Sequence, residues 1–127
     1  MDAIRSAFEL TCSDLDPCFD YQESVYQHAM MYFLQQEFGT SYVSKEVTIE
    51  YRLRDGHYVG HGRADLVVET PTDVFIIELK RWFCNFYRAR SQVKRYMAHF
   101  PTHKRIRGFL CVFSVNPSCE EVQQTIS

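Results

Sequence analysis

A chain of 127 residues supports one domain with a single core. Hydrophobic residues make up 46% of it and aromatics 15%, a composition that excludes a disordered chain. No apolar run reaches the length of a membrane span, Met1-Asp2 opens no signal-peptide pattern, and a net charge of −2 does not by itself favour nucleic acid.

In chain order, residues 3–11 predict a short helix. A stronger helix runs from about Pro17 or Asp20 to Phe38 and stops at Gly39. Tyr26, Met30, Phe33 and Phe38 form its apolar stripe, widened by Val25, Ala29 and Leu34. Residues 42–53 alternate Val43, Val47, Ile49, Tyr51 and Leu53 with polar partners, as a strand does. Asp55-Gly56 then reads as a hairpin turn into a strand over 58–68. Thr70-Pro71-Thr72-Asp73 is a second turn, leading to a strand over 74–80. Helical periodicity returns at about 85–100 and ends before Pro101. An apolar strand covers 107–113, and Asn116-Pro117 is expected to open a short C-terminal helix. The order α-β-β-β-α-β predicts one mixed sheet with helices packed against it.

The five cysteines (Cys12, Cys18, Cys84, Cys111, Cys119) are odd in number and form no CxxC pair. They point to reduced thiols in an intracellular protein, cytoplasmic or nuclear, not to disulfides or a zinc site. Charge is unevenly spread. Residues 80–107 hold nine bases (Lys80, Arg81, Arg88, Arg90, Lys94, Arg95, Lys104, Arg105 and Arg107) and no acid. Residues 1–37 hold seven acids and one base, Arg5. This is the polarity of a phosphate-facing surface on an otherwise acidic protein, or of a solvated helix face.

Candidate chemistry centres on Arg63-Ala-Asp65 and Glu78-Leu-Lys80. Both triplets adjoin apolar strand runs, and strand alternation puts Glu78 and Lys80 on one face, with Ile77 and Leu79 in the core. Two carboxylates and a lysine on rigid neighbouring strands can bind Mg²⁺ and cut a phosphodiester. Mg²⁺ takes hard oxygen ligands and keeps several waters, so Asp65, Glu78 and the Ile77 or Leu79 carbonyl suffice, with Mn²⁺ as a substitute. Lys80 would orient the attacking water or stabilise the transition state. The plainer alternative is a hairpin-end aspartate and a surface Glu–Lys pair on an edge strand. Glu23 either reaches over the sheet to the metal or completes a capping box with Asp20. Gln92 and Tyr96 lie one helical turn apart, where an amide can position a water or phosphate oxygen, or simply face solvent. His57, His61, His99 and His103 lack zinc-ligand spacing and read as polar surface. Trp82, Phe83, Phe86 and Tyr87 could stack on bases or pack in a core, with Cys84 a small hydrophobe among them.

The segments Glu23-Ser-Val-Tyr26, Gly62-Arg-Ala-Asp65, Ile77-Glu-Leu-Lys80 and Gln92-Val-Lys-Arg-Tyr96 together resemble the GxxExxY proteins of the PD-(D/E)XK nuclease superfamily. The resemblance covers residues 17–113 and leaves a short tail, 114–127. It implies a single α/β, restriction-endonuclease-like domain with a central mixed four-stranded sheet flanked by helices. It further implies Asp65 and Glu78 as metal ligands, Lys80 as catalytic lysine, Glu23 as an auxiliary acid, and Gln92 with Tyr96 as a late-helix motif. The glycine heading the family motif is here Asp20. The activity expected is Mg²⁺-dependent hydrolysis of DNA, with RNA left open. Arg63, Arg81, Arg88, Lys94, Arg95 and Tyr96 are the expected nucleic-acid contacts. So small a domain has little room for its own recognition insert, so a homodimer or partner protein is expected to help grip a duplex. The competing expectations are a non-catalytic nucleic-acid-binding or regulatory module on the same fold, and a protein-interaction domain built on the aromatics around Trp82.

Overall fold

The computed structural model describes residues 2–81 and 85–124. Two helices, α1 (Ala3–Asp14) and α2 (Glu23–Phe38), precede three strands, β1 (Val43–Arg52), β2 (Tyr58–Glu69) and β3 (Asp73–Arg81). Helix α3 (Phe86–His99), β4 (Arg105–Phe113) and β5 (Ser118–Val122) complete the chain. The five strands lie in sequence order and pair antiparallel, except β3 with β4. That parallel pair needs a crossover, and α3 supplies it.

Helices cover both faces of the sheet. Ile4, Phe8, Tyr26, Met30 and Leu34 of α1 and α2 pack on Leu66, Val68, Ile77, Leu79, Phe109 and Phe113. Ala89, Val93 and Met97 of α3 pack on Val67, Val74, Ile76, Leu110 and Val112. Two buried faces explain the unbroken apolar run Val74–Ile77, since alternation is lost when neither side meets water. Each such side chain contributes roughly 1.5–3 kcal/mol of burial. Among the described residues no helix is long and apolar enough to cross a membrane.

Several expectations change. The tail forms β5, not a helix, so the sheet has five strands where four were expected; Cys119 and Val122 enter the two cores along its length. The first helix extends to Asp14. The second begins only at Glu23, because Pro17–Phe19 closes a separate 3₁₀ turn capped by Asp20 in the left-handed region (φ 52°). This is the position where the family motif carries glycine, and an aspartate tolerates that backbone better than most residues. Asp20 makes no capping box: the N-cap of α2 is Gln22, without a side-chain bond, while Asp20 pairs with Arg81 at 3.6 Å. Trp82, Phe83 and Cys84 lie outside the described residues, so the proposed aromatic surface is represented only by Phe86 and Tyr87, both exposed.

The steady alternation expected over residues 42–53 also breaks, and the strand paired with it changes face at the same level. Val43, Leu66 and Val68 pack on the α1–α2 side, whereas Val47, Ile49 and Ala64 pack on the α3 side. Register places Glu46 opposite Asp65, and Glu46 has left-handed backbone (φ 52°). Both strands thus change face at Asp65.

Candidate active site

Pairing between β2 and β3 runs from Glu69↔Val74 to Leu66↔Ile77 and goes no further. Beyond it β2 stays with β1 and β3 with β4, leaving a fork between two main chains that still carry polar groups. Two acids fill the fork. Asp65 Oδ2 accepts the Leu79 N–H at 2.7 Å, and Glu78 Oε1 accepts the Asp65 N–H at 3.3 Å. Each carboxylate therefore replaces a missing ladder bond on the opposite strand.

The surface-pair alternative for Glu78 does not hold, because β3 is the central strand and Glu78 is only 3% exposed. Burial first, then the charge of Asp65 and a hydrogen bond between the two carboxyls, pushes the Glu78 carboxyl up to about 8. Lys80 opposes this; its Nζ stands 3.6 Å from Glu78 Oε2 on the same strand face. One lysine at that distance only partly offsets two crowded acids.

Glu23, in the first turn of α2, looks onto the same place. Desolvation and then Asp65 raise its carboxyl above the ordinary value, while Lys80 and Arg81 pull it down. One turn later Gln27, which belongs to none of the four motifs, is nearly buried and donates from Nε2 to the Asp65 carbonyl at 2.9 Å. Its i+4 spacing from Glu23 is the signal that could have found it. Glu23 and Gln27 thus bring α2 to the fork.

The other wall is α3. Asn85 caps it by accepting the Arg88 N–H at 3.1 Å. Lys80, Asn85, Arg88, Ala89, Gln92 and Arg95 line an open depression of about 360 Å³. No acid is among them, and the positive end of the helix lies at the same place. Gln92 Nε2 donates to Tyr96 Oη at 2.9 Å, and the Arg63 N–H donates to that oxygen at 3.3 Å. Burial, followed by the Glu78 charge, raises the Tyr96 hydroxyl above its ordinary value. A Cβ on Gly62 would collide with the Tyr96 ring and the Tyr51 hydroxyl, so glycine is what lets α3 close on β2 here.

The basic residues divide. Arg88 and Arg95 face the depression, and Arg95 also reaches Tyr51 Oη at 3.2 Å. Arg63 is exposed beside the fork, 4.0 Å from Glu46. Lys94 is absent from that depression and lines a second hollow with Ser91, Arg95, Ala98 and Gln124, so that Arg95 borders both. Arg81 braces the start of α2, bonding the Tyr21 carbonyl at 3.1 Å as well as Asp20. Tyr96 is buried beneath the cleft rather than displayed on it. Of the rest of the basic run, Arg90 pairs with Glu120, Lys104 with Glu69, and Arg107 with Asp2 and Glu121. Of the phosphate-facing surface expected from residues 80–107, Lys80, Arg88 and Arg95 line the depression, while Arg105 is exposed at the start of β4.

The fork suits a small hard cation. Two carboxylates converge there, and strand geometry sends the Leu79 carbonyl to the same edge as its N–H, toward Asp65. Among the described residues no group of three or more His, Cys, Asp or Glu forms a closed cage. The fitting ion is one that keeps waters and shares its ligands with a substrate phosphate.

Compared with known proteins, the chain matches the family model of the PD-(D/E)XK nuclease superfamily over residues 3–124. No curated protein matches it. Among solved structures it is similar to the one described as "Crystal structure of SSO0001", with a TM-score of 0.59 and 15% identity. That likeness covers 98% of this chain and 65% of the other, and it speaks for the fold alone.

Proposed function

This chain belongs to the PD-(D/E)XK nuclease superfamily, and from that membership we propose that it is a Mg²⁺-dependent nuclease hydrolysing phosphodiester bonds in DNA. The observation that supports this most is the acid pair at the β2–β3 fork, Glu78 buried and Asp65 half-buried, with Lys80 on the same face below an acid-free cationic depression.

Asp65, Glu78 and the Leu79 carbonyl would hold the Mg²⁺, which lowers the pKa of a bound water and neutralises charge on the phosphorus. Lys80, kept near Glu78, places a positive charge where the phosphorane develops and orients the nucleophile. Arg88 and Arg95 take the neighbouring phosphates along α3. Gln92, anchored through Nε2 on Tyr96, keeps its amide oxygen for a water or sugar group. Glu23 serves as an auxiliary acid at the mouth, while Tyr96 and Gln27 act as positioning residues. The gripping surface is short, so a second copy or a partner protein completes the hold on a duplex. The reduced thiols suit an intracellular setting.

Cleavage of labelled linear, circular, single-stranded and branched DNA with Mg²⁺, Mn²⁺ or EDTA tests this reading. Cutting that needs the metal and disappears in Asp65→Ala is expected. Equal cutting in EDTA, or by Asp65→Ala, would remove Asp65 and the metal from the reaction.

A further inference from the structure

Away from the fork, at the edge of the sheet, Cys111 of β4 and Cys119 of β5 are direct cross-strand partners. The Cys111 thiol donates to the Cys119 sulfur at 3.6 Å. Residues facing each other across antiparallel strands have Cα atoms roughly 4.5–5.5 Å apart, within the span a disulfide bridges. Cys111 is fully buried, whereas Cys119 opens into a cavity of about 430 Å³. Arg5, Glu9, Cys12 and Ser13 of α1 form one wall, and Pro117 stands beside Cys119 on the other. The nuclease reading uses none of these groups.

We propose that this cavity is a thiol oxidation site, in which Cys119 is the attacking sulfur and Cys111 the resolving one, with a small hydroperoxide as oxidant. The Cys119 thiolate attacks one peroxide oxygen; an S–O bond forms, the O–O bond breaks, and the leaving hydroxide takes up a proton to become water. Cys111 sulfur then attacks Cys119 sulfur. An S–S bond forms, the S–O bond breaks, and the Cys111 proton leaves with the hydroxide as a second water. The two sulfurs together lose two electrons and the peroxide gains them.

Position assigns the order: of the two paired cysteines, Cys119 lines the cavity and Cys111 is fully buried beside it. The surroundings agree. The hydrogen bond from Cys111 and then the Arg5 guanidinium draw the Cys119 thiol below its ordinary value, against the effect of burial. Burial holds the Cys12 thiol up, to about 11, so Cys12 is a poor competitor despite lining the same space. Cys18 is exposed, but its hydrogen bond to Asp16 raises it. Exposure alone would have favoured Cys18.

The test exposes the folded, reduced full chain to limiting hydrogen peroxide, then unfolds, alkylates and maps it with trypsin. No Lys or Arg follows Arg107, so both cysteines fall in the peptide 108–127. That peptide is expected to lose both alkylation sites and two hydrogens, at a rate about tenfold above the loss at Cys18. Cys111→Ala should leave a sulfenic acid on Cys119 that a dimedone probe captures, and Cys119→Ser should abolish both products. Earlier oxidation of Cys18, a Cys12–Cys119 bond, or dimedone capture on Cys111 would each overturn the assignment.

Discussion

Two places along β3 and β4 present the same ingredients, a pair of carboxylates and one cation, with opposite outcomes. At the start of the strands, Arg107 meets Asp2 at 3.2 Å and Glu121 at 2.7 Å while lying over the rings of Phe75 and Phe109. Its guanidinium bonds both Glu121 oxygens, and the hydrogen bond with Arg107 holds the Glu121 carboxyl below its ordinary value. A few residues further, Asp65 and Glu78 face each other with Lys80 at 3.6 Å from Glu78, and Glu78 is pushed up. In the first the chain supplies a matched cation and the cluster is a brace. In the second the compensation is incomplete, and the shortfall is what a divalent ion would fill.

The largest effect on stability should come from breaking the brace. Arg107→Ala strands Asp2 and Glu121 and uncovers two aromatic rings, at a cost of about 2–3 kcal/mol in denaturant unfolding. Metal-dependent cleavage per folded molecule should be unchanged. If the fork lost its activity instead, the two clusters would not be independent.

Next in size is the pH response, which should have opposite signs at the two places. Glu78 has a folded pKa above its unfolded one. Its contribution to stability is present below the ordinary carboxylate value and is lost as pH rises through about 8. Glu121 has a folded pKa below its unfolded one, so its contribution is present above the ordinary value and is lost as pH falls. Metal-free protein should therefore lose thermal stability from about pH 5 to 8, and Asp65→Asn should flatten that slope by relieving Glu78. A melting-temperature profile with the same slope in wild type and Asp65→Asn would contradict this.

The smallest effect concerns the cationic wall. Arg88→Ala should lower the salt-dependence slope of DNA binding by about one, as for a single phosphate contact. Lys94→Ala should leave it unchanged, because Lys94 faces another hollow. Equal losses for the two would put Lys94 on the same phosphate-facing surface as Arg88.

Much of this architecture can be read from the chain. The strands at 58–68 and 74–80 and the helix at 85–100 are announced by apolar pattern and turn residues, and the structure matches them within a residue or two. Asp65, Glu78 and Lys80 stand out because charged residues interrupt or end runs that must be buried. What escaped depends on contacts distant in sequence. Arg107 finds Asp2 across 105 positions and Arg90 finds Glu120 across 30, so a run that looks uniformly basic is dispersed by partners local pattern does not reveal. β5 is not legible in the sequence because Asn116-Pro117 also suits a helix start, and the open edge of β4 is what decides for a strand. The change of face at Asp65 rests on a left-handed Glu46, for which the residue type gives no warning.

The most direct measurement pairs two readouts on Lys80→Ala: Mn²⁺ affinity and the cleavage rate of the preferred DNA substrate. Lys80 is not a ligand in this account, so affinity should stay within a few-fold of wild type, while cleavage falls by roughly 10²–10³. Unchanged cleavage, or metal binding lost along with it, would contradict a lysine that acts on the reacting phosphate beside a cation held by Asp65 and Glu78.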